Sequence, residues 1–214
     1  MSKKFLELFA GSRSFGNEAE KLGFEVFSVD WQQFEGINLS IDIEDLKPSD
    51  IPFTPDYIHL SPDCTTYSIA AISTHRNGTE PKSDYAKKCD KVNINALSIV
   101  KHFLEINPGL VFTIENPRGM LRKMPFMQGI PRQTIWYCKY GDDRAKPTDF
   151  WSNNFRTIFN PTGWQPKSEC FNGNKNCHHE SAPRGSRTGT QGRKDSFNRS
   201  KIPKELCIEI LNTI

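Results

Sequence analysis

The 214 residues are 36% hydrophobic and 11% aromatic. This composition is enough for one compact domain with a buried core, and the chain is too short for a second large domain. No stretch approaches the roughly 20 apolar residues of a membrane span, and the charged start does not resemble a secretory signal. We therefore predict a cytoplasmic protein with no membrane partner and no obligate protein partner. Its six irregularly spaced cysteines favour reduced thiols, metal ligands or catalysis over a disulfide framework.

The net charge of +3 is unevenly distributed. Residues 1–60 hold five basic and eleven acidic side chains, a net charge of −6, which leaves +9 for the rest of the chain. The densest basic stretch, residues 184–204, is interleaved with Gly, Ser and Thr, as a site that follows a phosphate backbone would be. Basic loops are also common on solvated surfaces, so charge alone leaves both interpretations open.

The first 120 residues alternate short apolar runs with helical stretches. This pattern predicts an α/β, Rossmann-like fold with a mostly parallel sheet and helices on both faces. The predicted strands are residues 5–9, 24–29, 57–60, 110–114 and 133–138, and the predicted helices are 15–22, 85–106 and 203–211. The pattern ends after Trp151. We therefore divide the chain into a main domain (1–159), a small Gly/Asn/Arg-rich recognition loop (160–200) and a C-terminal helix that returns to the main domain (201–214).

A glycine turn follows the first predicted strand, at Leu8-Phe9-Ala10-Gly11, and Asp30 ends the second strand about 20 residues later. A strand, glycine turn and helix with such an acid can bind the adenosine part of a cofactor, the acid accepting both ribose hydroxyls. Because only one of the usual glycines is present, a phosphate-free cofactor is favoured over a dinucleotide. The alternative is an ordinary tight turn.

Two polar loops follow later predicted strands. One contains Ser61-Pro62-Asp63-Cys64, and the other is Glu115-Asn116-Pro117-Arg118-Gly119. Ligand sites in open α/β sheets lie at the carboxyl ends of strands, where a cysteine can act as a nucleophile and a carboxyl group can hydrogen-bond a base edge. The alternatives are a small buried thiol and a capping or salt-bridged acid.

Together these segments resemble the DNA cytosine-5 methyltransferase family, most of all its compact bacteriophage members. The family's Asp-Leu-Phe-Ala-Gly motif is similar to residues 7–11, its acid-Trp pair to Asp30-Trp31 and its Asp-Ile pair to Asp42-Ile43. Its Pro-Cys loop is matched by Cys64 and its Glu-Asn-Val motif by Glu115-Asn116, while Ile202-Pro203 resembles its last motif.

The resemblance implies an S-adenosylmethionine-dependent methyltransferase fold in a bacterial or phage-infected cell, where methylation would protect DNA from restriction. Cys64 would add to carbon 6 of a cytosine flipped out of DNA, and Glu115 would hydrogen-bond the ring while carbon 5 takes the methyl group. Asn116 and Arg144 complete the implied catalytic set. The implied cofactor contacts are Leu8, Phe9, Ala10, Gly11, Asp30, Trp31, Asp42, Ile43, Ser61 and Pro62. The expected DNA contacts are Arg118, Arg122, Arg184, Arg187, Arg193, Lys194 and Arg199.

Two departures from the family pattern bear on activity. Asp63 replaces a usual proline, and its charge would raise the Cys64 pKa. The family's Gln-x-Arg-x-Arg motif reads Gln133-Thr134-Ile135-Trp136-Tyr137, so Arg144 or Lys146 would have to supply the missing cation. A catalytically silent module that binds cofactor and DNA, and an RNA cytosine-5 methyltransferase, therefore remain alternative functions.

The recognition loop also contains Cys170, Cys177, His178 and His179. A Gly/Asn-rich loop with little apolar content could fold around zinc, because it has no core of its own. The alternative is a set of incidental polar residues in a loop that faces DNA. This region is also the candidate for target recognition.

Overall fold

A computed structural model of the protein describes residues 2–180 and 196–214. Its strands are β1 (Lys4–Leu8), β2 (Glu25–Asp30), β3 (Leu39–Ser40), β4 (Tyr57–Leu60), β5 (Arg76–Asn77), β6 (Glu80–Pro81), β7 (Val111–Pro117), β8 (Arg132–Trp136) and β9 (Pro147–Ser152). Its helices are α1 (Ser14–Lys21), α2 (Ile72–His75), α3 (Asp84–Ile106), α4 (Ser196–Ser200) and α5 (Lys204–Leu211).

Within the described residues, seven strands form one sheet in the order β3-β2-β1-β4-β7-β9-β8. The first five are parallel, whereas β9 runs antiparallel to both β7 and β8. The strand order reverses between β1 and β4, and ligands of such sheets bind in the crevice outside the carboxyl ends of the strands at this point. The predicted mostly parallel α/β sheet is confirmed.

Helices cover both faces because side chains alternate along each strand. In β1, Leu6 and Leu8 belong to the core that α3 closes with Ala96, Ile99, Val100 and Phe103. Phe5 points to the opposite face, into the core formed with α1 and α5. The predicted inward residues of α5, Leu206, Ile210 and Leu211, are all buried there.

The second half of the sheet differs from the sequence prediction. Strand β7 extends to Pro117 because Glu115–Pro117 pair with Thr148–Phe150 of β9, a strand that its mixed composition did not predict. The predicted strand 133–138 ends at Trp136, and Tyr137–Tyr140 form a 3₁₀ turn instead. Residues 153–180 contain turns and isolated bridges but no helix or strand. Of the helices described, none is long and apolar enough to cross a membrane.

Candidate active site

The turn after β1 has an unusual backbone. Phe9, Gly11 and Arg13 all lie in the left-handed region, with φ of 56°, 47° and 52°. A bulky non-glycine residue in this region costs on the order of 1–3 kcal/mol, and such residues cluster at ligand sites. The turn is held by hydrogen bonds from Ala10 N to Val29 O (3.1 Å) and from Arg13 N to Ala10 O (2.7 Å). It therefore presents a fixed backbone surface at the carboxyl end of β1.

Asp30 links this turn to the end of β2. Its Oδ2 accepts a hydrogen bond from Gly11 N (2.9 Å) and its Oδ1 accepts one from Gln32 N (2.9 Å). The pKa of Asp30 is raised overall, because the effect of burial outweighs the opposing effect of these hydrogen bonds. Each oxygen keeps a second lone pair for a hydroxyl donor. The adjacent Trp31 side chain is 66% exposed and so is available to cover a planar ligand.

The Asp42-Ile43 pair follows β3. Asp42 Oδ2 lies 2.6 Å from Lys88 Nζ on α3, and its Oδ1 accepts a hydrogen bond from Glu44 N (3.0 Å). The Ile43 side chain packs in the core between the sheet and α3. Both predicted cofactor contacts thus have protein partners of their own.

The loop after β4 carries the candidate nucleophile. Ser61 Oγ is 2.8 Å from His59 Nε2, and Pro62 O accepts a hydrogen bond from Asn116 Nδ2 (2.8 Å). Cys64 is half-buried and precedes the 3₁₀ turn Thr65–Tyr67. The Asn116 bond therefore joins this loop to the end of the neighbouring strand β7.

A carboxyl group and an ammonium group meet at the end of β7. Tyr137 OH donates a hydrogen bond to Glu115 Oε1 (2.7 Å), and Lys146 Nζ lies 3.7 Å from the same oxygen. Lys146 Nζ also lies 4.4 Å from the centroid of the Tyr137 ring, and burial lowers the Lys146 pKa. The Lys146 backbone is itself left-handed, with φ of 23°.

Arg144, which the resemblance included in the catalytic set, binds other groups than Glu115. Its guanidinium pairs with Asp142 (Nε to Oδ1 2.8 Å, Nη2 to Oδ2 2.5 Å). It also donates to the carbonyl oxygens of Arg199 (3.0 Å) and Lys201 (3.4 Å). The sequence offered Arg144 or Lys146 as the missing cation, and Lys146 is the one that lies beside Glu115 in the structure.

Electrostatics at Cys64 connect these groups. Burial raises the pKa of the Cys64 thiol to about 11; the charges of Asp63 and Glu115 act in the same direction, whereas Lys146 opposes them. The thiol is therefore protonated at neutral pH in the free protein. Asp63 also holds the loop, because its Oδ1 accepts hydrogen bonds from Thr65 N (2.8 Å) and Thr65 Oγ1 (2.7 Å).

A buried network that the sequence did not predict anchors the Cys64 loop to α3. The buried Arg76 side chain donates to Thr66 O (2.9 Å) and to Thr66 Oγ1 (3.1 Å), and it pairs with Asp90 at 2.6 Å. Tyr67 OH donates to the same carboxylate (2.7 Å). These residues are distant in sequence and carry no motif, so no sequence signal could have found them.

Gly119 brings the loops after β4 and β7 together. A β-carbon at this position would lie 2.5 Å from the backbone oxygen of Tyr67. Because that neighbour is backbone, a larger residue would push the two loops apart. Residue 119 is therefore a glycine because any side chain there would collide with the Tyr67 backbone.

The predicted DNA contacts have different surroundings. Arg118 is exposed, and its guanidinium carbon lies 5.6 Å from the Trp136 ring centroid. Arg122 binds the buried Asp149 through both carboxylate oxygens, with Nε to Oδ2 at 2.8 Å. Arg199 accepts hydrogen bonds at its carbonyl oxygen from Arg144 and Lys146. Arg184, Arg187, Arg193 and Lys194 lie outside the described residues.

The candidate metal ligands form a different set from the predicted one. Cys170, Cys177 and His179 group with Cys138 of the 3₁₀ turn after β8, and their ligand atoms lie within 4.8 Å of one another. The predicted ligand His178 is not in this group, because its Nε2 hydrogen-bonds Asp142 O (3.0 Å) instead.

No protein-family model matches the sequence, and no curated protein matches it. Among solved structures, the Dnmt2 methyltransferase of S. pombe is similar with a TM-score of 0.51 and 13% identity, and the methyltransferase EhMeth of Entamoeba histolytica with a TM-score of 0.52 and 12% identity. Each similarity covers 79% of this chain, which spans 58% of the length of each of those chains. With its mostly parallel sheet, the chain thus has the Rossmann-like fold of S-adenosylmethionine-dependent methyltransferases.

Proposed function

We propose that this chain is an S-adenosylmethionine-dependent cytosine-5 methyltransferase of DNA. The proposal rests on the hydrogen bond from Asn116 to Pro62, which joins the Cys64 loop to the neighbouring parallel strand where Glu115 meets Lys146. A thiol, a carboxyl group and an ammonium group are the side chains needed for covalent attack on a cytosine ring. The methyltransferase fold of the two solved structures supports the same family.

The residues near the carboxyl ends of β1 and β2, beside the point where the strand order reverses, suit the cofactor. Asp30 can accept the ribose hydroxyls, Trp31 can cover the adenine, and the fixed turn at Phe9–Gly11 offers its backbone. Arg13, the basic residue of this turn, donates to Ser28 Oγ (3.0 Å) and pairs with Glu20, which suits a ligand without phosphates. When bound, S-adenosylmethionine supplies the methyl group that carbon 5 accepts.

The chain's own residues then handle the base, which must first leave the helix because its ring is unreachable while stacked. Cys64 loses its proton to water, and its sulfur forms a bond to carbon 6 as the double bond between carbons 5 and 6 opens. Glu115, held by Tyr137 and Lys146, shares a proton with the ring nitrogen and accepts a hydrogen bond from the amino group, and the shared proton stabilises the negative charge that moves into the ring. Carbon 5 becomes nucleophilic, and after methylation it loses its proton to water as the bond to Cys64 breaks. Lys146 favours the thiolate at the start and end of this sequence.

DNA is proposed as the substrate because the chain beyond residue 60 carries a net charge of +9 and Arg118 is exposed beside the Glu115 strand end. Such cations bind the phosphate backbone and position it without reading bases. We assign residues 1–159 to catalysis, 160–200 to target recognition and 201–214 to closing the cofactor side. The last assignment is supported by the hydrogen bond from Ile202 N to Ser14 Oγ (3.1 Å).

The test is incubation of the full chain with methyl-labelled S-adenosylmethionine and either duplex DNA or RNA, followed by digestion to nucleosides. Label in 5-methylcytosine from DNA is the expected result, with Cys64→Ser as the inactive control. The same label from RNA alone would assign an RNA substrate. Retained cofactor binding without transfer would indicate a silent binding module, and label on an exocyclic amino group would overturn the Cys64 mechanism.

A further inference from the structure

Three thiols and one imidazole converge in a cluster that the proposed reaction does not use. Cys138 lies in the 3₁₀ turn Tyr137–Tyr140, whereas Cys170, Cys177 and His179 come from the loop 153–180. Their ligand atoms all lie within 4.8 Å of one another. Two segments that are distant in sequence thus contribute donors to one small volume.

The surroundings of this cluster are those of a ligand set. Cys138, Cys170 and His179 are 2%, 5% and 7% exposed, and Cys177 is half-buried. His179 Nδ1 lies 3.8 Å from Cys170 Sγ, and Asn174 Nδ2 donates to the same sulfur (3.4 Å). The other ring nitrogen, His179 Nε2, is buried without a hydrogen-bond partner among the described residues. The ring nitrogen that faces the Cys170 sulfur is thus Nδ1, and this is the nitrogen that would coordinate an ion.

We propose that Cys138, Cys170, Cys177 and His179 bind one structural zinc ion. Zinc–sulfur bonds of about 2.3 Å place tetrahedral ligands roughly 3.8 Å apart, so donors within 4.8 Å need only small side-chain movements to close on the ion. Three thiolates and an imidazole are soft donors that suit tetrahedral zinc and leave no open position for catalysis. A disulfide would use two of the thiols and leave the third thiol and the imidazole unexplained.

Phe155 and Trp164 pack the first part of this loop into the core beside α5, whereas residues 165–180 bury only Cys170 and His179. Residues 153–180 form no helix or strand, and the apolar cluster around the thiols contains only Trp136, Cys138, Ala145 and Cys170 as buried members among the described residues. Zinc binding can replace a hydrophobic core in such a segment. The ion would fix the loop where Glu180 N donates to Asp143 O (2.8 Å), within the 142–146 segment that brings Lys146 to Glu115.

The test is the metal content of the full chain, expressed with zinc in the medium and dialysed against a weak chelator. We expect about one zinc per wild-type chain. Cys138→Ser and Cys177→Ser should each retain zinc at least about 10-fold less tightly, because loss of a direct ligand should cost no less than loss of a residue that only hydrogen-bonds a ligand. His178→Ala is the matched control and should retain zinc, since this adjacent histidine contacts Asp142 O instead.

A second readout separates ligand loss from misfolding. Cobalt added to zinc-free wild-type protein should produce thiolate-to-cobalt charge-transfer absorption, and Cys177→Ser should weaken this absorption while keeping the circular dichroism of the domain. Loss of zinc in His178→Ala but not in Cys138→Ser would overturn the ligand set. Zinc-free protein that also gives no cobalt signal would overturn the site, as would a disulfide between two of these cysteines.

Discussion

The two regions that bound the crevice are positioned by different means. The strand-end region, residues 2–123, sets Asp30, Cys64 and Glu115 toward the carboxyl ends of the parallel strands β2, β4 and β7, whose side chains fill two large cores. The loop region, residues 137–180, brings Lys146 in through the buried Asp142–Arg144 pair and a small cluster of thiols. The comparison indicates that backbone topology places the reacting groups, whereas polar and metal-binding contacts place the group that tunes them.

The contribution of the loop region is tested most strongly by Lys146→Met. Among the described residues, removing the ammonium leaves Tyr137 as the hydrogen-bond partner of the Glu115 carboxyl group, and it takes away the cation that opposes the high Cys64 pKa. We expect kcat for methyl transfer to fall by about 10²-fold, as for loss of a charge-stabilising donor, with cofactor affinity unchanged. Lys123→Met, at an exposed lysine, is the control. Equal activity of the two variants would mean that the loop region does not tune the site.

The cofactor side of the strand-end region is tested by Asp30→Ala. Loss of a charge-assisted hydrogen bond to the ribose, worth about 1.5–3 kcal/mol, should weaken S-adenosylmethionine binding by roughly 10- to 150-fold in calorimetry. Since Asp30 also holds Gly11 N and Gln32 N, Trp31→Ala serves as the companion variant. The exposed indole has little part in folding, so Trp31→Ala should weaken binding without lowering Tm. Unchanged affinity in both variants would place the cofactor elsewhere.

Gly119→Ala tests how closely the strand ends must approach. The added methyl group would meet the Tyr67 carbonyl and move the Cys64 loop. Because a displacement of about 1 Å can cost up to 10²-fold, kcat should fall by at least about 10-fold while the Kd for the cofactor stays the same. In the control, Gly109→Ala, a β-carbon meets only the Asn107 side chain, at 3.3 Å. If kcat is the same in both variants, the loop spacing is not critical.

Asp63→Asn should have the smallest effect, and in the opposite direction. Removing this negative charge lowers the Cys64 pKa from about 11, so more thiolate is present at any pH below that value. The rate of Cys64 alkylation at pH 8 should rise roughly 3- to 10-fold, measured by mass spectrometry of the modified peptide. The amide keeps an acceptor for Thr65, which limits loop rearrangement. An unchanged or slower rate would show that the Asp63 charge does not raise the Cys64 pKa.

Sequence reasoning predicted the strand-end region well because parallel strands are short apolar runs whose carboxyl ends meet at one edge. Leu6 and Leu8 marked β1, and Asp30, Cys64 and Glu115 each followed a predicted strand. In the loop region, β9 carries Thr148 and Asp149 on buried positions, which concealed the strand. Cys138 and Lys146 reach their partners through tertiary contacts between segments that have no shared periodicity. The fold was therefore predictable, and the sequence narrowed the cation to Arg144 or Lys146 without deciding between them, whereas it did not predict Cys138 as a member of the thiol cluster.

The most direct test of the covalent mechanism is trapping of the adduct on a DNA duplex that contains 5-fluorocytosine. Fluorine at carbon 5 cannot leave as a proton, so the bond between Cys64 and carbon 6 should persist after methylation. We expect a denaturation-resistant complex that needs S-adenosylmethionine, maps to the Cys64 peptide and is absent in Cys64→Ser. Methylation of ordinary cytosine without any trapped complex, or a complex that survives in Cys64→Ser, would contradict the covalent mechanism.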